Sequence, residues 1–428
     1  MDMATKRLYY DDSFQREFTA KALSCEAADP AAPENAEGAA ALKTAARSAA
    51  DASPTPAGVE QLWRVKLDRT AFYPSSGGQP QDTGRLGDVR VVDVLDEGDE
   101  VIHVLDKPIE IGAVQGSIDW ERRFDHMQQH SGQHVLSAVF HSKFALPTVS
   151  FHMGSDVCTI DVRGREPTQE ILDAAMVGAN DVVYADRTVN VRYGTAEELA
   201  AAGVRKTVER SGTLRAIEIE ALELQPCGGT HVQRTGQIGM ILVRVVSRIR
   251  QDWRVEFACG RRAERLARED FATLRAVAQR LNCSPQEAVS AAERVVAERD
   301  AHFKSARGSL QKLAELDARS AVQADADGVR VIAKLFENDP PEYVQAFARA
   351  VAQAENTVAL VVRKECGHIF FSQHPTAKKD MNALLGEALK RVPGKGGGSR
   401  DSARGRLADA ERAAEFLSIA AALLRPNP

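Results

Sequence analysis

Apolar positions change period several times along this chain, and each period predicts an element. Leu62-Trp63-Arg64-Val65-Lys66-Leu67 alternates apolar and polar residues, the signature of a half-buried strand. Residues 13–24 form another strand-like run. Short β-type runs follow at 89–92 and 101–105, with Gly and Asp between them. Together they predict a small β-barrel over roughly residues 10–118, with a sandwich as the alternative. A helix is expected after Phe124, carrying His126 through Phe140. Beyond it, strands at 158–162, 189–193, 217–220, 240–246 and 254–258 mix with helices at 169–183 and 196–201, an α+β pattern. From Arg261 to about Ala326, Leu, Ala and Val recur at three and four. Asn282-Cys283-Ser284-Pro285 interrupts that helix, with Ser284 as N-cap and Pro285 at the first helical position, so a helical hairpin is expected. The last hundred residues alternate strands (329–335, 357–362, 369–372) with helices (343–354, 381–391, 408–424), as a small α/β domain does. Residues 26–58 fit no period. They are rich in Ala, Pro, Glu, Ser and Asp, cannot bury enough apolar surface to offset their ordering entropy, and read as a disordered insertion. The expected organisation is therefore α+β: an N-terminal β-barrel domain 1–118 with the insertion, a domain at 119–260, a helical linker or hairpin at 261–326, and a C-terminal domain at 327–428.

Composition narrows the class. Of 428 residues, 44% are hydrophobic and 27% charged, as in a soluble globular protein. No run approaches a membrane span, and Met1 to Thr19 lacks the apolar core of a secretory signal, so a cytoplasmic location is expected. Six cysteines at 25, 158, 227, 259, 283 and 366 form no C-x-x-C pair, which suits a reducing compartment. A net charge of −5 argues against a whole surface built to receive a polyanion, though eight arginines lie between Arg244 and Arg268. With Glu264 and Glu269 among them, that run reads as a solvated helix face or as a local nucleic-acid patch.

The residues that carry chemistry are few. His130 and His134 stand at i and i+4 on the expected helix, so both imidazoles share one face. Ninety-three positions later come Cys227 and His231, within Pro226-Cys227-Gly228-Gly229-Thr230-His231. Two glycines there suit a tight backbone wrap. Either pair alone could be a chance surface pair, but together they form a nitrogen–sulfur set suited to one Zn²⁺. His126 lies one turn before His130 and could compete as a ligand or support one. Ser75-Ser76-Gly77-Gly78-Gln79 reads as a turn, or as a glycine loop whose amides approach a ligand. Lys395-Gly396-Gly397-Gly398-Ser399-Arg400, with Arg404 beyond, reads as a flexible loop suited to phosphate or as a solvated one.

With SSGGQ, DHMQQHSGQH, TVSFHMG, CGGTHV, TGQIG and RVEFACGRRA in place over residues 60–260, the chain resembles the AlaX family in its long form. These are free-standing relatives of the alanyl-tRNA synthetase editing domain. The C-terminal part with GKGGGSR resembles that synthetase's C-terminal part more loosely. The resemblance implies a zinc site on His130, His134, Cys227 and His231, which also carry the catalysis. It implies hydrolysis of Ser-tRNA(Ala), and in some members of Gly-tRNA(Ala). It places the substrate pocket near Thr148, Ser150 and His152, with Gln79, Gly228 and Gly229 beside it. It assigns tRNA contact to Lys395, Gly396, Gly397, Gly398, Arg400 and Arg404, and leaves room for a homodimer through the C-terminal region. No adenylation module is expected, so no amino acid is activated with ATP. Two alternatives stand beside this: a non-enzymatic, zinc-stabilised tRNA-binding module, and editing of another mischarged tRNA.

Overall fold

The computed structural model describes residues 4–28, 61–204, 212–322 and 328–424. The expected disordered insertion lies outside the described residues from 29 onward, while Glu26 and Ala27 are strand. The chain is mixed α+β and divides into two compact units, Met1–Thr273 and Leu274–Pro428.

In the first unit, six strands close on themselves: β1 (Glu17–Ala27), β2 (Trp63–Leu67), β3 (Gly84–Leu86), β4 (Val89–Glu97), β5 (Glu100–Leu105) and β6 (Gly112–Ile118). Their pairing order, β1-β2-β5-β4-β3-β6 and back to β1, makes a closed barrel that leaves no open edge. Alternate residues such as Val65, Leu67, Leu86, Val91 and Val101 fill its interior around Phe18 and Phe72.

Helix α1 (Trp120–Phe144) follows directly. It starts at Trp120, ahead of the start expected after Phe124. Its first turn, Trp120-Glu121-Arg122-Arg123, reads as polar, yet Arg123 is fully buried against the barrel. Arg123 Nε lies 3.0 and 3.1 Å from the two oxygens of Asp82, and its Nη1 donates to Ser13 O (2.9 Å). Trp120 meets Phe14 and Phe124 in tilted ring contacts, at separations of 5.4 and 5.5 Å. Residues 126–140 of α1 are buried throughout.

This helix lies on a four-stranded antiparallel sheet of β7 (Thr148–Met153), β8 (Cys158–Val162), β12 (Ile241–Ile249) and β13 (Asp252–Cys259), in the order β12-β13-β8-β7. A Cβ at Gly132 would fall 2.2 Å from Cys259 Sγ, so only glycine allows so close an approach. Helix α2 (Gln169–Tyr184) packs beside α1. After α2 in sequence come β9 (Val189–Gly194), α3 (Ala196–Ala201), β10 (Leu214–Ile219) and β11 (Glu223–Pro226). Strands β9, β10 and β11 form a small antiparallel sheet.

Helices α4 (Gly260–Arg280) and α5 (Ala288–Val322) flank the expected break, where Ser284 and Glu287 form a reciprocal cap. The second unit then builds a five-stranded sheet: β14 (Arg330–Phe336), β15 (Thr357–Arg363), β16 (His368–Gln373), β17 (Gly394–Gly398) and β18 (Ser402–Leu407), ordered β14-β15-β16-β18-β17. Helix α6 (Pro341–Val351) covers one face of it, and α7 (Met381–Arg391) with α8 (Ala413–Ala422) covers the other. The glycine segment read as a flexible loop is an edge strand. Cβ atoms at Gly394 and Gly396 would sit 2.8 Å from Leu389 and Leu385 of α7, and at Gly398 2.2 Å from Ser402 O. The glycines let a helix lie directly on the strand backbone, a packing demand that looks like flexibility in sequence.

Breaking one half of a buried ion pair strands the other charge. Arg123→Met or Asp82→Asn should each cost about 3–5 kcal/mol of unfolding free energy in urea melts, and the double substitution less than the sum. Single losses under about 1 kcal/mol would show that this pair does not dock α1 on the barrel.

Candidate metal centre

The four residues paired by spacing converge. Ligand atoms of His130, His134, Cys227 and His231 all lie within 4.8 Å of one another. Cys227 Sγ is 3.2 Å from His231 Nε2 and 3.5 Å from His130 Nε2. A tetrahedral site with Zn–N of about 2.0 Å and Zn–S of about 2.3 Å needs donors roughly 3.5 Å apart. These two separations match that spacing, and three imidazoles and one thiol gathered within 4.8 Å have the donor chemistry for such an ion. The histidines are about 95% buried, and Cys227 is half-buried.

Local structure explains the convergence. One turn of α1 separates His130 from His134, and their ring centroids are 5.3 Å apart. Strand β11 ends at Pro226 and delivers Cys227. Arg215 on β10 then gathers the next turn, its Nη1 donating to Cys227 O (2.7 Å) and Gly229 O (3.0 Å). A Cβ at Gly229 would fall 2.2 Å from His130 Cε1, so glycine alone fits there. At Gly228 the nearest atom would be Tyr10 Oη at 3.8 Å, ordinary contact.

Each histidine is held from behind. Glu223 Oε2 meets His134 Nδ1 at 3.0 Å, Gln79 Oε1 meets His130 Nδ1 at 2.8 Å, and Ser131 Oγ meets His231 Nδ1 at 3.1 Å. Partners of this kind orient metal-binding imidazoles and raise their basicity. Burial alone would push the Cys227 thiol up, but the charges of His130 and His231 and the imidazole hydrogen bonds hold it well below its ordinary value. Burial alone would lower His134, but Cys227 and Glu223 raise it to about 10. His126 stays outside the cluster. It is buried, and its Nδ1 has no partner among the described residues.

The expected pocket segment is only partly at the site. A register shift between Asp161 and Val162 places a bulge in β7, so Thr148 turns toward α1, where its hydroxyl donates to Ser137 Oγ (2.7 Å). Gln133 donates to the same Ser137 oxygen (2.8 Å), giving a polar chain one turn from the histidines. Ser150 and His152 instead point to the exposed face of the sheet. Ser150 donates to Asp161 Oδ2 (2.8 Å), which Arg254 also binds. Phe151, between them, stacks on His130 at 5.5 Å. Lys395 and Arg404 share one exposed face of β17 and β18, joined by Arg406 opposite Lys395. Arg400 follows in the connecting turn, where its Nε reaches Lys379 O (3.4 Å). Glu223, Ser131 and Arg215 were missed in the sequence. The only signal for them was their nearness to the ligand motifs.

Comparison with known proteins gives two family matches. Residues 214–256 match the threonyl and alanyl tRNA synthetase second additional domain, which takes in Cys227 and His231, and residues 328–425 match the DHHA1 domain. The chain is 30% identical over 363 residues to the alanyl-tRNA editing protein AlaX-L of Pyrococcus horikoshii, covering 80% of this chain and 87% of that one. It is 28% identical to the alanyl-tRNA editing protein Aarsd1 of Rattus norvegicus, covering 95% of each. It is 29% identical to an alanine–tRNA ligase of Pyrococcus abyssi, covering 98% of this chain and 44% of that one.

The two glycines separate a metal role from a merely structural loop. Gly229→Ala should displace the His130 ring and drop bound metal well below one ion per chain, while Gly228→Ala should keep it. Elemental analysis of both folded variants checks this, and equal metal content would count against the geometry described.

Proposed function

This chain belongs to the AlaX-L family of alanyl-tRNA editing proteins, and on that premise we propose that His130, His134, Cys227 and His231 hold one Zn²⁺ at which the aminoacyl ester of Ser-tRNA(Ala), and secondarily Gly-tRNA(Ala), is hydrolysed. The protein edits mischarged tRNA(Ala) in trans, as an aminoacyl-tRNA deacylase. The observation that carries the site assignment is the convergence of two histidines and a Cys/His pair from well-separated segments of one unit. Bound zinc would supply a Lewis acid beside the ester. The surrounding residues do the rest. Thr148, Ser137 and Gln133 offer hydroxyl and amide partners to a serine side chain. Gly228 is exposed and its N–H has no partner among the described residues, so it can donate to the oxyanion that forms on the carbonyl.

We assign tRNA contact to the exposed basic face of β17 and β18, with Lys395, Arg404 and Arg406, together with Gly396, Gly397, Gly398 and Arg400. Exposed Val289, Val296 and Phe303 on α5 recur every seven residues, the period of paired helices, and support a homodimer through this region. Six unpaired cysteines support the cytoplasm as its compartment. Among the described residues no helix is long and apolar enough to cross a membrane. The divisions at 118, 260 and 326 belong to this same reading.

A deacylation assay with Ser-, Gly- and Ala-tRNA(Ala) tests the function directly: Ser-tRNA(Ala) should be hydrolysed fastest, and Ala-tRNA(Ala) should survive. Thr148→Val should lower the Ser/Ala ratio of kcat/KM by about one hydrogen bond, roughly 0.5–1.5 kcal/mol. Ser150→Ala and His152→Leu, on the far face, should leave that ratio unchanged. A lowered ratio in either of those two, with Thr148→Val unaffected, would move the pocket to the other face.

Replacing Lys395 and Arg404 together by Gln should weaken tRNA binding at fixed salt. It should also flatten the dependence of log Kd on log salt by roughly two contacts' worth. An unchanged slope would place phosphate contact elsewhere.

A further inference from the structure

The segment Ser76-Gly77-Gly78-Gln79 is a tight turn rather than an open glycine loop. Ser76 and Gln79 exchange backbone hydrogen bonds at 3.1 and 3.0 Å. Gly77 and Gly78 take φ of +58° and +84°, so both central positions are left-handed, which favours glycine. The turn is docked on β7: Met153 N–H donates to Gly78 O (3.1 Å), and a Cβ at Gly78 would fall 2.7 Å from Phe151 O. Its last residue, Gln79, is thereby driven between α1 and the Cys227–His231 loop, where it is 1% exposed.

The orientation of the Gln79 amide follows from its partners. Thr230 N–H can only donate, so the Gln79 atom 3.2 Å away is the oxygen. The nitrogen then donates to Thr230 Oγ1 at 2.8 Å. That same oxygen lies 2.8 Å from His130 Nδ1, and since it cannot donate, Nδ1 must carry the proton. The lone pair of His130 is left on Nε2, which faces Cys227 Sγ across 3.5 Å. The oxygen already accepts twice, and almost none of the side chain is exposed. The expected role beside the substrate is thus not the one this geometry serves.

We infer that Gln79 is a positioning residue of the metal centre. From the barrel, it fixes the tautomer and orientation of His130 and pins Thr230 between two of the other three ligands, Cys227 and His231. The inference rests on the reading that these four residues hold a metal. It makes the barrel a part of that centre rather than an appendage beside it.

The test uses the full chain, stripped of metal and titrated with Zn²⁺ against a chelator and with Co²⁺ by visible spectroscopy. Gln79→Leu should weaken metal binding by about 10–100-fold and alter the Co²⁺ ligand-field bands. Gln79→Glu restores an acceptor for His130 Nδ1 and Thr230 N–H, and should recover most of the affinity and the wild-type spectrum. A merely structural side chain predicts the opposite order, because burying a carboxylate costs more than burying an apolar side chain. If Gln79→Leu does not fold, Gln79→Glu decides alone: wild-type affinity and spectrum support the inference, and affinity lost by 10-fold or more overturns it. Wild-type affinity and spectrum in folded Gln79→Leu overturn it while leaving the metal reading intact. A wild-type chain with no tetrahedral thiolate spectrum and no zinc affinity overturns both.

Discussion

The geometry of the site depends first on a buried ion pair. Arg123 lies two helical turns before His130, so whatever fixes Arg123 fixes the rotation of the ligand-bearing face of α1. Its partner Asp82 is 1% exposed and also accepts from Tyr73 N–H (2.6 Å). Taking two charges out of water is expensive, and attraction alone often fails to offset it. Here Nη1 and Nη2 also donate to the Ser13 and Ala71 carbonyls, so each guanidinium nitrogen has a partner. An apolar pair could give equal stability. It could not fix the angle of the helix with five directed hydrogen bonds. Gln79 stands three residues before Asp82, so one short segment of the barrel both aims the helix and touches its first ligand.

The other half of the site solves a different problem. Cys227 and His231 lie in irregular backbone, which does not hold itself in place. Arg215 supplies the missing rigidity through two carbonyls of the loop, and the small sheet that carries it brings Glu223 to His134. A buried carboxylate and thiolate are costly unless something cationic sits among them, a charge that protonated imidazoles or a bound ion would supply.

How much of this was legible in the sequence depends on the range of the interactions. His130 and His134 were legible because a helix has a fixed period, and Cys227 and His231 because their glycines mark a wrap. Strands such as 158–162 and helices such as 381–391 matched their apolar periods. Thr148, Ser150 and His152 looked equivalent. The bulge that separates them arises from pairing with Asp161 and Val162, which no local pattern reveals. The start of α1 was hidden because Arg123 reads as a surface residue until Asp82, forty-one positions away, is beside it. Glycines 394–398 read as a loop because composition records freedom of the backbone but not the helix laid against it.

On the proposed assignment, selectivity follows from how the polar chain near the four clustered residues is already satisfied. Gln133 and Thr148 both donate to Ser137 Oγ, so an alanine side chain arriving there strands nothing. A site of that kind favours serine by the bond it gains. It does not reject alanine by a penalty, and the gain of one hydrogen bond is about 1 kcal/mol. Strong rejection requires buried groups left unpaired by the wrong ligand. The chain must therefore draw the rest of its discrimination from elsewhere. One source is geometry at the ester, where a serine hydroxyl bound to Thr148 would set the angle of the carbonyl relative to Gly228 N–H. An alanine ester, free to turn, would meet that donor only part of the time. Discrimination of this type appears in kcat more than in KM, because it acts on the transition state.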